Sequence, residues 1–343
     1  MRLQAISLVF VLCAVQQSDE RNVKEKAMIS ASPIVKTLHP IIGVLAQEST
    51  GRISNDGEGQ YVVQAYTEMM QNAGARVVPF LINQTDEEVD KLFNSINGLV
   101  LPGGHVRLQD SNYGKIGKRL YELAVEANNK GSVFPIWAEC LGFELLALCA
   151  SGRGVTHGQF DEALFEYTDA KNYSVPVQLV KDYTKSRFLG TASPDMIGYL
   201  NNSLKAFNNH DKALTPKTFN KFPGIKNDYR IITVNRDRVN TEYISTMEGK
   251  KWPFFLLDWH PTKPMFPWME TYAQYDHSQQ AIAITQFMAS SFVNIARMSD
   301  HTFPNPQEEL ESLIENYTPT LTKDRGNVYF FPMPTKTPQM EEE

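Results

Sequence analysis

The segment Phe134-Pro-Ile-Trp-Ala-Glu-Cys140-Leu-Gly-Phe-Glu144 constrains this chain more than any other. A short apolar run stops at a single cysteine, and Leu141–Leu148 then reads as a helix. Strand, sharp turn and helix in so few residues belong to an α/β fold, with the thiol carried on the turn. At a helix N-terminus the partial positive charge and the free backbone N–H groups favour thiolate over thiol, so Cys140 is expected to be reactive. Ala138 and Gly142, each two residues from the sulfur, keep bulk away from the turn. The segment alone leaves a second reading open, in which Cys140 is a small buried hydrophobe.

Two further strand ends point the same way. Asn97-Gly-Leu-Val-Leu-Pro-Gly-Gly104 is an apolar strand closing in two glycines, which present backbone N–H groups of the kind that hold an oxyanion. Phe254-Phe-Leu-Leu-Asp-Trp-His260-Pro is a third apolar run, ending in a histidine. A cysteine followed about 120 residues later by a histidine is the order of a thiol nucleophile and its general base. Elsewhere strand and helix signals alternate. Strands are predicted near 41–46, 76–81, 97–101, 133–137, 230–235, 240–246 and 254–259, and helices at 59–73, 85–95, 113–129, 141–150 and 277–297. Residues 151–227 show no clear period. The pattern predicts a three-layer α/β domain, a mostly parallel central sheet with helices on both faces.

The order P-G-G, W-x-x-C-L-G-F-E and W-H-P resembles the class I glutamine amidotransferase-like hydrolases, and within them the γ-glutamyl hydrolase family. The likeness runs over residues 39–297 and includes His39-Pro-Ile-Ile-Gly-Val-Leu, Asn72-Ala-Gly-Ala-Arg-Val-Val-Pro79, Ser95-Ile-Asn-Gly and Ser245-Thr-Met-Glu-Gly249. It implies Cys140 as nucleophile and His260 as base, with His210 as a further active-site histidine. The oxyanion donors are expected at the backbone of Gly104 and Leu141, and Gly103 on the same loop against the substrate. Glu144, one helical turn past the cysteine, is the candidate acceptor for a substrate α-ammonium group, though its position also suits a solvated helix carboxylate. The resemblance further implies hydrolysis of folate or antifolate poly-γ-glutamates, a small-molecule partner, and a homodimer.

Two departures from the family pattern bear on activity. The family places Gly-Thr before the cysteine where this chain has Ala138-Glu139, and a carboxylate facing the sulfur would raise the thiol's pKa. The family also has a glutamate two residues after the histidine, where this chain has Thr262. On sequence, Asp258 is the substitute orienter for His260, because i and i+2 share a strand face, and Thr262→Glu is expected to raise turnover. These departures sustain a rival reading, a secreted family member that binds without turning over. A hydrolase of other γ-glutamyl peptides is a third. A glutamine amidotransferase proper is disfavoured because no synthetase domain accompanies the motifs.

Composition agrees with an enzyme of small molecules. With 343 residues, 42% of them hydrophobic, one domain of ordinary size can bury a sizeable core. A net charge of −6 with dispersed Lys and Arg argues against a nucleic-acid partner. The seven histidines show no paired ligand spacing, so neither metal nor cofactor is expected. Residues 1–18 carry an early positive charge and a short apolar core, the pattern of a signal peptide too short to span a bilayer. Residues 19–38 then form an extension, 39–298 the catalytic domain, and 299–343 a polar tail expected to be only partly ordered. Sequons at Asn83, Asn172, Asn201 and Asn316 fit a secreted or lysosomal glycoprotein.

Overall fold

The apolar runs become strands buried on both sides. In the computed structural model, which describes residues 34–49, 59–204, 206–266, 268 and 275–333, the strands, buried and exposed together, are β1 (Ile41–Leu45), β2 (Gln47–Glu48), β3 (Gln60–Val63), β4 (Arg76–Phe80), β5 (Gly98–Leu101), β6 (Ile136–Glu139) and β7 (Phe165–Val175). They continue with β8 (Gln178–Leu179), β9 (Ala206–Leu214), β10 (Tyr229–Arg236), β11 (Glu242–Gly249), β12 (Phe254–Leu257), β13 (Thr320–Thr322) and β14 (Gly326–Phe331). The helices of eight or more residues are α1 (Gln64–Asn72), α2 (Asp86–Phe93), α3 (Asn112–Asn129), α4 (Leu141–Ala150), α5 (Pro194–Asn202) and α6 (Gln279–Ala296). The segment expected as a signal peptide, most of the 19–38 extension and residues 334–343 lie outside the described residues.

The central sheet has the order β4-β1-β5-β6-β12-β11-β10-β8. The first five strands pair in parallel; β11, β10 and β8 add antiparallel pairings, so the sheet is mixed. Every residue of β1, β5 and β12 is buried, as covered parallel strands require. Two groups of helices pack among themselves: α1 and α5 each against α6, and α2, α3 and α4 in series. Polar side chains cap some of these helices, with a Thr85–Glu88 capping box on α2, Ser111 on α3, Ser193 on α5 and Ser278 on α6.

Three elements differ from the sequence expectation. Gln60–Val63, expected as helix, is a strand, because Tyr61-Val62-Val63 is an aromatic and β-branched run that finds pairing partners in β2 and β14. The unreadable stretch holds a separate two-stranded ribbon, β7 with β9. The tail is ordered through Met333: β13, β14, β3 and β2 make a four-stranded sheet, and Val328 and Phe331 are buried in the main core. The described residues from Thr37 to Met333 thus fall within one compact unit.

Parallel register brings the strand ends together. Ala138 lies beside Leu101, and Glu139 beside Leu257, so the chain leaves β5, β6 and β12 at one level. The helix after β6 then seats directly on β5. A Cβ on Gly142 would stand 2.2 Å from the Leu101 carbonyl oxygen, a clash with backbone that cannot swing aside. Gly142→Ala is therefore expected to lower unfolding free energy by about 2 kcal/mol, the usual scale of overpacking, read from the denaturant midpoint.

Candidate active site

Cys140 caps α4 without using its side chain, in a backbone conformation (φ 52°, ψ −106°) that few non-glycine residues adopt. The turn is fastened by the Cys140 N–H donating to the Leu257 carbonyl at 2.8 Å. Gly103, at the end of the neighbouring strand, shows how closely the parts converge. A methyl there would lie 3.0 Å from Cys140 Cβ, 3.2 Å from the Tyr66 hydroxyl and 3.3 Å from His260 Cε1. Thiol and imidazole thus share one glycine's worth of space.

The centre of the site is Glu139, whose side chain points away from solvent entirely. Its Oε1 accepts from the Tyr66 hydroxyl (2.9 Å), the Thr262 hydroxyl (2.8 Å) and His260 Nδ1 (3.1 Å), and its Oε2 from Trp137 Nε1 (3.3 Å). With Nδ1–H held by the carboxylate, the lone pair of His260 sits on Nε2. Both departures from the family pattern therefore belong to one network. The carboxylate stands before the cysteine instead of after the histidine, and Thr262 donates a hydrogen bond to it. This reverses the expectation for Thr262→Glu: a second carboxylate there would meet Glu139 head-on.

The remaining sequence candidates divide. Gly104 lines the cleft, and the Leu141 N–H bonds toward the Cys140 sulfur, so both oxyanion candidates flank the thiol. Gly103 lines the cleft but has no free polar group for substrate, since its N–H donates to Tyr66 and its carbonyl accepts from Gln47 Nε2. His210 is not in the cleft. Neighbours on a strand face opposite ways, and in β9 it is Phe207 and Asn209 that line the cavity, while His210 is buried against Thr168, Tyr243 and Asp258. Asp258 faces His210 Nε2 at 3.4 Å, not His260, so it does not orient the base. Glu144 also lies outside the cleft lining. Asn83, Asn172, Asn201 and Asn316 are all exposed. Among the described residues no group of three or more acidic, His or Cys side chains is arranged to hold a metal.

Electrostatics overturn the expectation of a ready thiolate. Burial, then the charges of Glu144, Asp258 and Glu139, push the Cys140 thiol well above its ordinary value, and the Leu141 N–H only partly offsets them. Burial also holds the carboxyls of Glu144 and Asp258 well above the usual carboxylate range, so in acid they are neutral and two of the opposing charges vanish. Burial lowers His260 despite its bond to Glu139, leaving a neutral imidazole as the resting base. Cys149, the other free cysteine of the described residues, is pushed up to about 12 by burial.

The cleft is open to solvent. Besides the residues named, Val63, His105, Lys263, Tyr275, Asp324 and Arg325 line it. None was visible as a site residue in the sequence: Tyr66 reads as one position on an amphipathic helix, and Arg325 belongs to the segment expected as a tail.

A nucleophile turn, a glycine strand end and a carboxylate-held histidine on a mixed α/β sheet define a cysteine-dependent hydrolase, and residues 40–262 match the Peptidase C26 family, to which the chain belongs. It is similar to the Gamma-glutamyl hydrolase of Mus musculus, 35% identical over 292 residues that cover 85% of this chain and 87% of that one. The human Gamma-glutamyl hydrolase is 33% identical over 292 residues, with the same two coverages. Gamma-glutamyl hydrolase B of Dictyostelium discoideum is 33% identical over 299 residues, 86% of this chain and 83% of that one. A glutamine amidotransferase from Thermotoga maritima, of known structure, is similar over 75% of this chain and 98% of that chain, with 12% identity and a TM-score of 0.42.

Two outcomes follow from the charge arrangement. Alkylation of Cys140 by iodoacetamide in the free protein is expected to keep rising through pH 9 with no plateau at the ordinary thiol pKa of about 8.5; a plateau near neutrality would contradict the buried neutral thiol. His210, lowered by burial from 6.5 to about 3, acts on stability. The unfolded chain takes up a proton below 6.5 that the folded state refuses, so this contribution is intact above 6.5 and is lost progressively as pH falls toward 3. Between pH 7.5 and 5, His210→Gln should lose about 2 kcal/mol less unfolding free energy than the parent, measured by denaturant titration at both values.

Proposed function

We propose that this protein hydrolyses γ-glutamyl amide bonds through a Cys140 thioester, with His260 as general base and acid and Glu139 as the group that orients it. The observation that carries the reading is the buried Glu139–His260 bond beside Cys140, which supplies a catalytic dyad with its third member. The γ-glutamyl substrate rests on the relatives, each of whose names is gamma-glutamyl hydrolase. Folate poly-γ-glutamates are the substrates the family likeness favours.

In the reaction His260 Nε2 takes the thiol proton as sulfur attacks the γ-carbonyl carbon. The N–H groups of Leu141 and Gly104 receive the oxyanion; that of Gly103 is already bonded to Tyr66. The imidazolium, stabilised by Glu139, protonates the departing nitrogen, and the C–N bond breaks to leave the thioester. His260 then removes a proton from water, whose oxygen attacks the thioester carbon and returns the thiol. Glu139 and Thr262, which on sequence favoured a binding protein without turnover, bond to each other and no longer argue for it.

The first 18 residues and the four exposed sequons support a secretory route ending outside the cell or in lysosomes. Among the described residues no helix is long and apolar enough to cross a membrane.

Turnover of a folate pentaglutamate, followed as chain shortening, tests the reading. Cys140→Ala should abolish it with the fold intact, and Cys149→Ala should leave it unchanged. Glu139→Gln should lower kcat by about 100-fold or more, as loss of an orienting carboxylate does in related triads. Thr262→Glu alone should also lower it. The double change Glu139→Thr with Thr262→Glu, which moves the carboxylate to the other side of the imidazole, should recover activity above either single variant. A double variant no better than Glu139→Thr would show that the carboxylate's role is not orientation of His260.

A further inference from the structure

Resting on the γ-glutamyl reading above, we propose that Lys263 and Arg325 form a carboxylate-binding subsite in the active-site cleft, which takes an α-carboxylate of the substrate's glutamate chain. A γ-linked chain differs from an ordinary peptide in carrying a free carboxylate on the α-carbon of each residue. A site reading such a chain needs fixed cations beside the nucleophile, and this cleft has two.

What sets Arg325 apart is the absence of any partner for its guanidinium among the described residues. The other described arginines are engaged: Arg76, Arg107, Arg119, Arg153, Arg187, Arg236 and Arg238 bind carboxylates, and Arg230 and Arg297 bind backbone carbonyls. Lys263 likewise has no carboxylate partner among the described residues; its ammonium sits 5.9 Å from the centre of the Tyr275 ring. Burial, and after it the repulsion from Arg325, lowers Lys263; burial, and after it both cations, lowers His260; Glu139 opposes this at each. Two like charges that line one cavity repel each other, and the one carboxylate that acts against this at Lys263, Glu139, is already held by four donors, so a bound anion relieves the repulsion. Asp324, also on the cleft, is exposed and pairs with neither.

Arg325 is not free to drift. Its backbone N–H donates to the Thr322 hydroxyl, which itself donates to the Gly326 carbonyl, closing the β13–β14 turn. β14 pairs with β3, whose last residue, Val63, lines the same cleft. The C-terminal strand pair thus carries a forked donor to the reaction site, and both cations lie beyond residue 262, where the family match ends.

Calorimetric binding of tri-γ-glutamate to the Cys140→Ala protein tests the subsite without turnover. Adding Arg325→Ala or Lys263→Gln should weaken binding by about tenfold each, while Arg325→Lys should keep part of it. A trimer with its α-carboxylates converted to carboxamides should bind the parent and the Arg325→Ala protein equally. Unchanged affinity in both variants, or equal losses for carboxylate and carboxamide trimers, would overturn the proposal. Failure of the γ-glutamyl reading shows separately, as absence of pentaglutamate cleavage by the intact enzyme. Thermal unfolding of each variant separates lost binding from lost fold.

Discussion

The site depends on one buried carboxylate. Glu139 accepts from four donors on three segments: Tyr66 on α1, Trp137 on its own strand β6, and His260 and Thr262 two residues apart after β12. An unpaired carboxylate at that depth would be strongly unfavourable, and each donor left without it would bear its own desolvation cost. The group therefore fixes the histidine's ring and tautomer. Through Tyr66 it also fixes the Gly103 N–H beside the nucleophile.

The sheet makes that convergence available. Parallel pairing of β6 with both β5 and β12 ends three strands at one level, and the chain turns there under tight steric limits: Gly142 against the Leu101 carbonyl, Gly103 against Cys140 and His260. Antiparallel β11 and β10 extend the sheet away from the site. The β7–β9 ribbon is tied to it by the His260 N–H bond to the Phe207 carbonyl.

The neutral resting pair has a physical logic. A buried thiol with carboxylates around it resists ionisation, and burial keeps the imidazole beside it neutral. Acid conditions relax the opposition from Glu144 and Asp258, because both are protonated there. A carboxylate beside Cys140 looked harmful on sequence, and in the fold it also accepts a hydrogen bond from His260.

What the sequence determined is what short stretches encode. The apolar runs ending at Gly103, Cys140 and His260 specify buried strands that stop abruptly, and the small residues around Cys140 specify the turn; the α/β class and the choice of Cys140 and His260 as candidates follow from them. The tertiary structure alone decided which carboxylate meets the histidine. Asp258 is two residues from His260 and faces away, whereas Glu139, 121 residues distant, touches it, because side-chain direction at a strand end is set by the register with its neighbour. The same reason removed His210 from the cleft, since alternation along β9 gave that face to Phe207 and Asn209. It also explains Arg325: a polar, proline-rich ending reads as a tail until Val328 and Phe331 find a core contributed by residues more than 200 positions earlier.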